Sequence, residues 1–336
     1  MILSALPDLL TFQRQTRLTS DLKARLEITS REAVTGRRED VAEHVRGDVG
    51  GVHLLEKAID DIELDGRINA ISGARIDLMS SALSAVRGVV DGLDVTGLAA
   101  LTIPDSFGLG TVAQQAEANL RSVMSLLSTA HGERKLFSGD ATDKIPLASP
   151  EALLADIEAI MQAGANPTDI ETVLDTYFND PAGGFAQDIY QGGDGDAPPS
   201  FLADGSSIEF SIKADDQALR DTLRGLAVMA TAQSTGYDIT GSGFAEVFTG
   251  GTSVLGKGTG AVIKLEGNLG IHAGLLENAN TQQAAEHLVL GQALNAAVGR
   301  DQYEAAAELK QLEAQLEASY LITARLANLS LTNFIR

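Results

Sequence analysis

Cysteine and tryptophan are both missing from these 336 residues, and aromatic side chains make up only 4% of them. Without cysteine there can be no disulfide, no thiolate metal site and no cysteine nucleophile. Scarce aromatics leave few of the flat, rigid walls that line a large enzyme pocket, whereas helices packed by Leu, Ile, Val and Ala do without them. Positive charge is short as well: 25 Lys and Arg stand against 46 Asp and Glu, a formal charge of −21. A field of that sign repels phosphate backbones and anionic lipid, so neither nucleic acid nor a membrane surface is an expected partner. No apolar run approaches the roughly 18 residues that span a bilayer. Residues 1–10 are apolar but carry no basic leader and no long hydrophobic stretch, so no cleaved signal peptide is expected.

What is present is helical periodicity at both ends of the chain. Residues 8–35 place Leu18, Leu22, Leu26 and Ala33 on one face, with Asp21–Arg25 and Glu27–Arg31 as i,i+4 pairs on the solvated side. Gly36 stops that helix, and the polar, glycine-containing residues 40–51 read as a bend. A rod over 52–93 keeps register through Leu55, Ile59 and Ile62. It then carries a heptad at Ile76, Met79, Leu83, Val86, Val90 and Leu93. A period of 3.5 is that of a coiled-coil seam. The stretch 97–101 reads as a turn. A helix at 111–129 repeats the pattern through Ala113, Ala116, Leu120, Val123, Leu127 and Ala130.

The far end mirrors the near one. Asp301 with Glu304 three residues on is a helix start. Ala305, Leu309, Leu312, Leu316 and Leu326 then share a face with no Gly or Pro before the chain ends. Helices at 262–279 and 281–298 lead into this rod.

Between the helical ends lies an acidic insert. Residues 140–245 hold 18 acidic and 4 basic side chains, 14 of the 21 net negative charges. Ser149-Pro and Asn166-Pro open helices, each with an N-cap and a proline at the first helical position. Residues 183–205 form a Gly/Asp/Pro loop, 207–213 alternate as a strand, and 216–233 form a third helix. The expected architecture is mainly α, an elongated, coiled-coil-like bundle of long helices from both termini with a small inserted α+β domain. Its parts are residues 1–139, an insert at 140–250, and 251–336.

The candidates for chemistry are weak. Gly251-Thr-Ser-Val-Leu-Gly-Lys-Gly258 nearly spells a phosphate-binding loop, but Gly258 stands where the metal-ligating Ser or Thr belongs. No buried strand precedes it, and a flexible junction is the better reading. His44, His53, His131, His272 and His287 share no i,i+4 pair. Asp194 and Asp196 lack a bidentate Glu at calcium-loop spacing. Asp215 and Asp216 supply charge at a helix N-terminus rather than an acid–base pair. No catalytic residue, cofactor or metal is expected.

Several strings resemble the flagellin family of axial bacterial proteins. Ser30-Arg-Glu-Ala-Val-Thr-Gly-Arg-Arg38 is similar to the close of the family's first helix, and Lys135-Leu-Phe-Ser-Gly139 to the turn that leaves its N-terminal helices. Asp301-Gln-Tyr-Glu-Ala-Ala306, Leu309-Lys-Gln-Leu312 and Leu316-Glu-Ala-Ser-Tyr320 resemble its C-terminal helix. The ending Leu329-Ser-Leu-Thr-Asn-Phe-Ile335 is closer to the members at the hook–filament junction than to the filament flagellins. The likeness covers residues 1–139 and 250–336. It departs at Glu39-Asp-Val-Ala-Glu-His-Val-Arg46, where the family has a Pro-Ser-Asp-Asp-Pro-like string.

The resemblance implies a structural subunit of the bacterial flagellum whose terminal helices pair and self-assemble into a ring-like wall. It also implies extracellular placement by type III export, an export chaperone, and neighbouring hook and filament junction proteins as partners. The packing residues expected on this reading are Leu18, Leu22, Leu26, Ile76, Met79, Leu83, Val86, Leu120, Leu127, Leu309, Leu312, Leu316 and Leu326. The alternatives are a filament flagellin, a soluble coiled-coil adaptor and a nucleotide-binding enzyme using residues 251–258.

Overall fold

The computed structural model describes residues 5–202 and 205–334, and the side chains of residue 10, 13–202 and 205–325. The chain forms two compact units. One comprises Met1–Glu63 with Gln283–Arg336, and the other is Leu64–Gln282. The fold is mainly α, and both boundaries fall inside long helices.

In the first unit, α1 (Ala5–Thr35) ends where Gly36 turns into the left-handed region at φ +67°. Backbone bonds then fasten that turn to the other end of the chain. Arg300 N–H donates to the Gly36 carbonyl at 2.9 Å, and Arg38 N–H to that of Val298 at 2.9 Å. The expected bend at 40–51 contains a one-turn helix, α2 (Val41–His44), capped by Asp40, before α3 (Val49–Val90) begins. The last helix of the unit, α10 (Gln302–Phe334), starts as its sequence requires, with Asp301 Oδ1 accepting from the N–H groups of Tyr303 and Glu304.

The second unit is built around one apolar core. The heptad residues of α3 pack with α5 (Ser106–Leu127), and a single buried cluster runs from Ile76 through Leu127 to Leu219 and Phe244. Asp105 caps α5 through the N–H groups of Phe107 and Gly108. The expected turn at 97–101 is instead part of a helix, α4 (Leu93–Ala100). Gly97 sits in it because a Cβ there would come within 2.8 Å of Met229 Cε and 3.1 Å of Phe248 Cε1. The glycine marks close packing, not a break.

Two prolines open helices as expected. Ser149 caps α6 (Pro150–Ala163) and Asn166 caps α7 (Pro167–Asn179). Strand content is slight: β1 (Ala130–His131) pairs with β2 (Arg134–Lys135), and β3 (Ser200–Phe201) with β4 (Ser207–Ile208). The strand expected over 207–213 pairs at only those two residues. The inward alternation of Ile208, Phe210 and Ile212 persists, but the later residues have no neighbouring strand. The loop expected at 183–205 includes a single π-helical turn, Phe185–Ile189.

The helix expected at 216–233 is α8 (Gln217–Thr231). Asp216 precedes it without capping it; its carboxylate accepts from Lys213 N–H, and burial raises its pKa. A buried guanidinium, Arg224, ties α8 to Glu171 and Asp175 of α7 at 2.6 and 3.2 Å.

The largest correction concerns residues 241–298. The flexible junction and the two helices after it are one continuous 57-residue helix, α9 (Ser242–Val298). The phosphate-loop look-alike lies inside it, with no strand before it and Lys257 exposed on its surface. Two of its glycines, and one of α8 opposite them, have a packing reason. A Cβ on Gly225 of α8 would lie 2.6 Å from Leu255 Cβ and N, one on Gly258 2.6 Å from Thr222 N, and one on Gly251 2.6 Å from Val228 Cγ1. Spacing by four, three and seven puts Gly251, Leu255 and Gly258 on one stripe of the helix. The missing side chains let the two backbones approach.

Farther along α9, a Cβ on Gly267 or Gly270 would meet nothing within 4 Å. Each glycine there costs roughly 0.5–1 kcal/mol of helix stability relative to alanine. Gly267→Ala and Gly270→Ala should therefore each raise the thermal midpoint of the isolated chain by a few degrees in calorimetry.

The units divide the chain at other points than 139/140 and 250/251. The reason is packing: α5 lies along α8, so residues 140–250 share their buried cluster with the helices before and after them.

Candidate assembly surface

The two terminal helices pair with each other. Gln15 Nε2 donates to Ser319 Oγ at 3.0 Å, Arg25 reaches Glu308 at 3.4 Å, and Glu32 meets Arg300 at 3.6 Å. Rising numbers on α1 match falling numbers on α10, so the pair is antiparallel. On α10 the half-buried or buried positions include Ala305, Leu309, Leu312, Leu316, Ser319 and Thr323; on α1 they include Gln15, Thr19, Leu22, Leu26, Thr29 and Ala33. Both runs step by four and three alternately, the 3.5-residue period of two helices that stay in contact along a seam.

The expected stripe on α1 needs one change. Leu18 is 54% exposed, while Leu22 beside it is buried. The seam position that Leu18 was expected to fill belongs to Thr19, whose hydroxyl lies 2.8 Å from that of Ser319. Gln15, Thr19 and Ser319 form a polar layer in the seam. An apolar search skips such a layer, because three small hydroxyl and amide side chains satisfy one another there at little desolvation cost. Arg25 and Arg31 likewise turn outward from their own helix, to Glu308 and Glu39, rather than to Asp21 and Glu27.

The other expected packing residues divide by location. Leu309 and Leu316 are half-buried in the seam, and Leu312 is 3% exposed at its centre. Leu26 is half-buried opposite them. Ile76, Met79, Leu83, Val86, Leu120 and Leu127 are buried in the core of the Leu64–Gln282 unit. They are consumed by the chain's own packing and have no face left to offer a neighbour. Leu326 and the string 329–335 have side chains outside the described residues.

What remains exposed on the pair is more informative. Residues 18, 25 and 32 of α1 and 308, 315 and 322 of α10 occupy one flank of the seam by heptad position. Its Glu32/Arg300 and Arg25/Glu308 end is charged and paired. Its other end carries Leu18 and Ile322, 54% and 50% exposed. With Arg25 opposite Glu308, Leu18 stands opposite Gln315 and Ile322 lies one heptad beyond, about 10 Å along the axis at 1.5 Å per residue. This apolar flank is a surface without a cover in the single chain.

Among the described residues, no group of three or more His, Asp or Glu side chains converges to hold a metal ion, and no helix is long and apolar enough to cross a membrane.

No family model matches the sequence, and no curated protein matches it either. Solved structures do. One assigned as a flagellar hook-associated protein from Vibrio parahaemolyticus superposes with a TM-score of 0.55 at 12% identity, over 73% of this chain and 95% of that one. The two chains share a fold. The FlgL structure from Bacillus cereus aligns over 73% of this chain and 96% of its own at 15% identity, but its TM-score of 0.42 is too low to bear on the fold.

Proposed function

We propose that the chain is a structural, non-catalytic subunit of the bacterial flagellum, placed at the junction of hook and filament. It assembles with copies of itself and with neighbouring hook and filament junction proteins through its terminal helices. An export chaperone would accompany it to the extracellular flagellum. The observation that carries this reading is the fold shared with a hook-associated protein over nearly all of that protein's length. The terminal strings at 30–38, 301–320 and 329–335 point the same way. The acidic residues 140–250 would face outward, where like charges stay solvated.

Assembly on this reading draws on apolar surface that the single chain leaves in water, and Leu18 with Ile322 is such surface on the terminal pair. Leu18→Lys combined with Ile322→Lys should leave the circular dichroism and thermal midpoint of the isolated chain unchanged, because both sites are already half-exposed. Incorporation into purified hook–basal bodies should fall by an order of magnitude or more, since each buried lysine would be unpaired in the contact. Undiminished incorporation would remove this flank from the assembly surface. Deleting the gene separates junction subunit from filament subunit. Loss of a junction subunit leaves hooks that shed flagellin into the medium, whereas loss of the filament subunit leaves none to shed.

A further inference from the structure

The Leu64–Gln282 unit contains a cleft of about 520 Å³ between α3 and the β3–β4 segment. A hydrogen bond between Ser72 Oγ and Ser200 Oγ, 2.8 Å, closes its floor. Its rim is apolar and open: Ile68, Ile71 and Phe201 are 41%, 46% and 68% exposed. Arg75 lines it, and the Arg75 Nε–H is buried with no hydrogen-bond partner. Leaving a guanidinium donor stranded is costly, so its retention fits a partner from outside the described residues.

A second cation, Arg134, lies outside the cleft lining but within the field of the first. Burial lowers the pKa of Arg134, and repulsion from Arg75 lowers it further. Neither arginine makes an ion pair among the described residues, although the chain carries 46 acidic side chains. Other buried guanidinium groups are neutralised from within: Arg224 by Glu171 and Asp175, Arg300 by Glu32 and Glu308. Asp65 also lines the cleft, but ten residues along α3 puts it about 15 Å from Arg75 at the opposite end.

We infer that this cleft docks an acidic peptide segment of a partner protein, with a carboxylate on Arg75 and an adjoining apolar side chain on Ile68, Ile71 and Phe201. A carboxylate accepts two parallel bonds from a guanidinium fork, satisfies the stranded Nε–H and offsets the repulsion between the two cations. A polyphosphate chain would fit the cations but meet the −21 field of the whole molecule. A small inorganic anion would leave the apolar rim in water. An acidic segment with flanking apolar residues covers both, and the far Asp65 sets its direction, acid toward Arg75.

The test uses the full chain and a fluorescein-labelled, capped Leu-Glu-Phe-Asp-Leu peptide, followed by anisotropy at low salt. Saturable binding is expected, weakened about tenfold or more by Arg75→Gln and less by Arg134→Gln, which acts only through its field. Phe201→Ser should weaken it less, and all three variants should keep the wild-type circular dichroism. A peptide with Lys in both acidic places should not bind. Three results would overturn the inference: no saturation up to about 1 mM peptide, which corresponds to about 4 kcal/mol; equal binding of the Lys peptide; or binding that Arg75→Gln leaves unchanged. Sedimentation of the chain alone adds a fourth, since self-association lost in Arg75→Gln would make the occupant a second copy.

Discussion

Leu312→Asp should separate α1 from α10 while leaving the Leu64–Gln282 unit folded. Leu312 is 3% exposed at the centre of the seam, with Leu309 and Leu316 half-buried on either side. Truncating such a leucine costs about 2–5 kcal/mol, and placing an unpaired carboxylate there adds the cost of desolvating a charge. The pair has little in reserve to meet that cost. Its cross-seam ion pairs include an Arg25 side chain that is 64% exposed, and exposed pairs contribute about 0–1 kcal/mol each. Its polar layer at Gln15, Thr19 and Ser319 forgoes apolar burial at one end.

Separated, the 31 residues of α1 and the 33 of α10 would lose the packing that keeps amphipathic helices formed. Circular dichroism should therefore drop by roughly the share of those two helices, and their amides should exchange without protection. The core residues Leu83, Leu120 and Leu223 should stay protected. A single cooperative loss of both units would contradict this account, and so would no loss at all. The contrast with Leu18→Lys and Ile322→Lys matters here. On the proposed function those variants act on contacts between chains, whereas Leu312→Asp acts on the pair within one chain.

The second large effect is expected at Gly225. A Cβ there falls 2.6 Å from both Leu255 Cβ and N, closer than carbon atoms can come without movement of the backbone itself. Gly225→Val would force α8 and α9 apart along the stripe that also includes Gly251 and Gly258, and overpacking of this kind costs typically 1–3 kcal/mol or more. The thermal midpoint of the Leu64–Gln282 unit should fall by roughly 5–10 °C, at the 2–4 °C per kcal/mol usual for domains of this size. Gly270→Ala, in α9 but open to solvent, should move it the other way. Opposite signs for two glycine substitutions in α9 and its partner would show that their roles are set by what lies opposite.

These glycines also show where the sequence was legible and where it was not. The helix starts at Ser149, Asn166 and Asp301 could be read directly, because an N-cap acts through the backbone of its own next three residues. The heptads at 76–90 and 305–316 could be read because burial on one side of a helix imposes a period whatever the partner is. The identity of that partner could not. Ile76 to Val90 are buried within their own unit, and the pattern alone does not separate a seam inside a chain from one between chains. Glycine was the main source of error. Read locally, Gly251, Gly256 and Gly258 are breaks; packed against α8, Gly251 and Gly258 let a 57-residue helix pass close to its neighbour. Tertiary contact overrode propensity there, and nothing local to residues 241–260 records it. The Thr19 layer was missed for a related reason, since its partner, Ser319, lies 300 residues away.

The most direct test of the central claim is electron microscopy of purified hook–basal bodies carrying gold-labelled antibody to this chain. A hook–filament junction subunit predicts gold confined to a narrow band at the distal end of the hook. Gold distributed along the filament would assign the chain to the filament itself, and labelled protein found only in the cytoplasm would contradict a flagellar role.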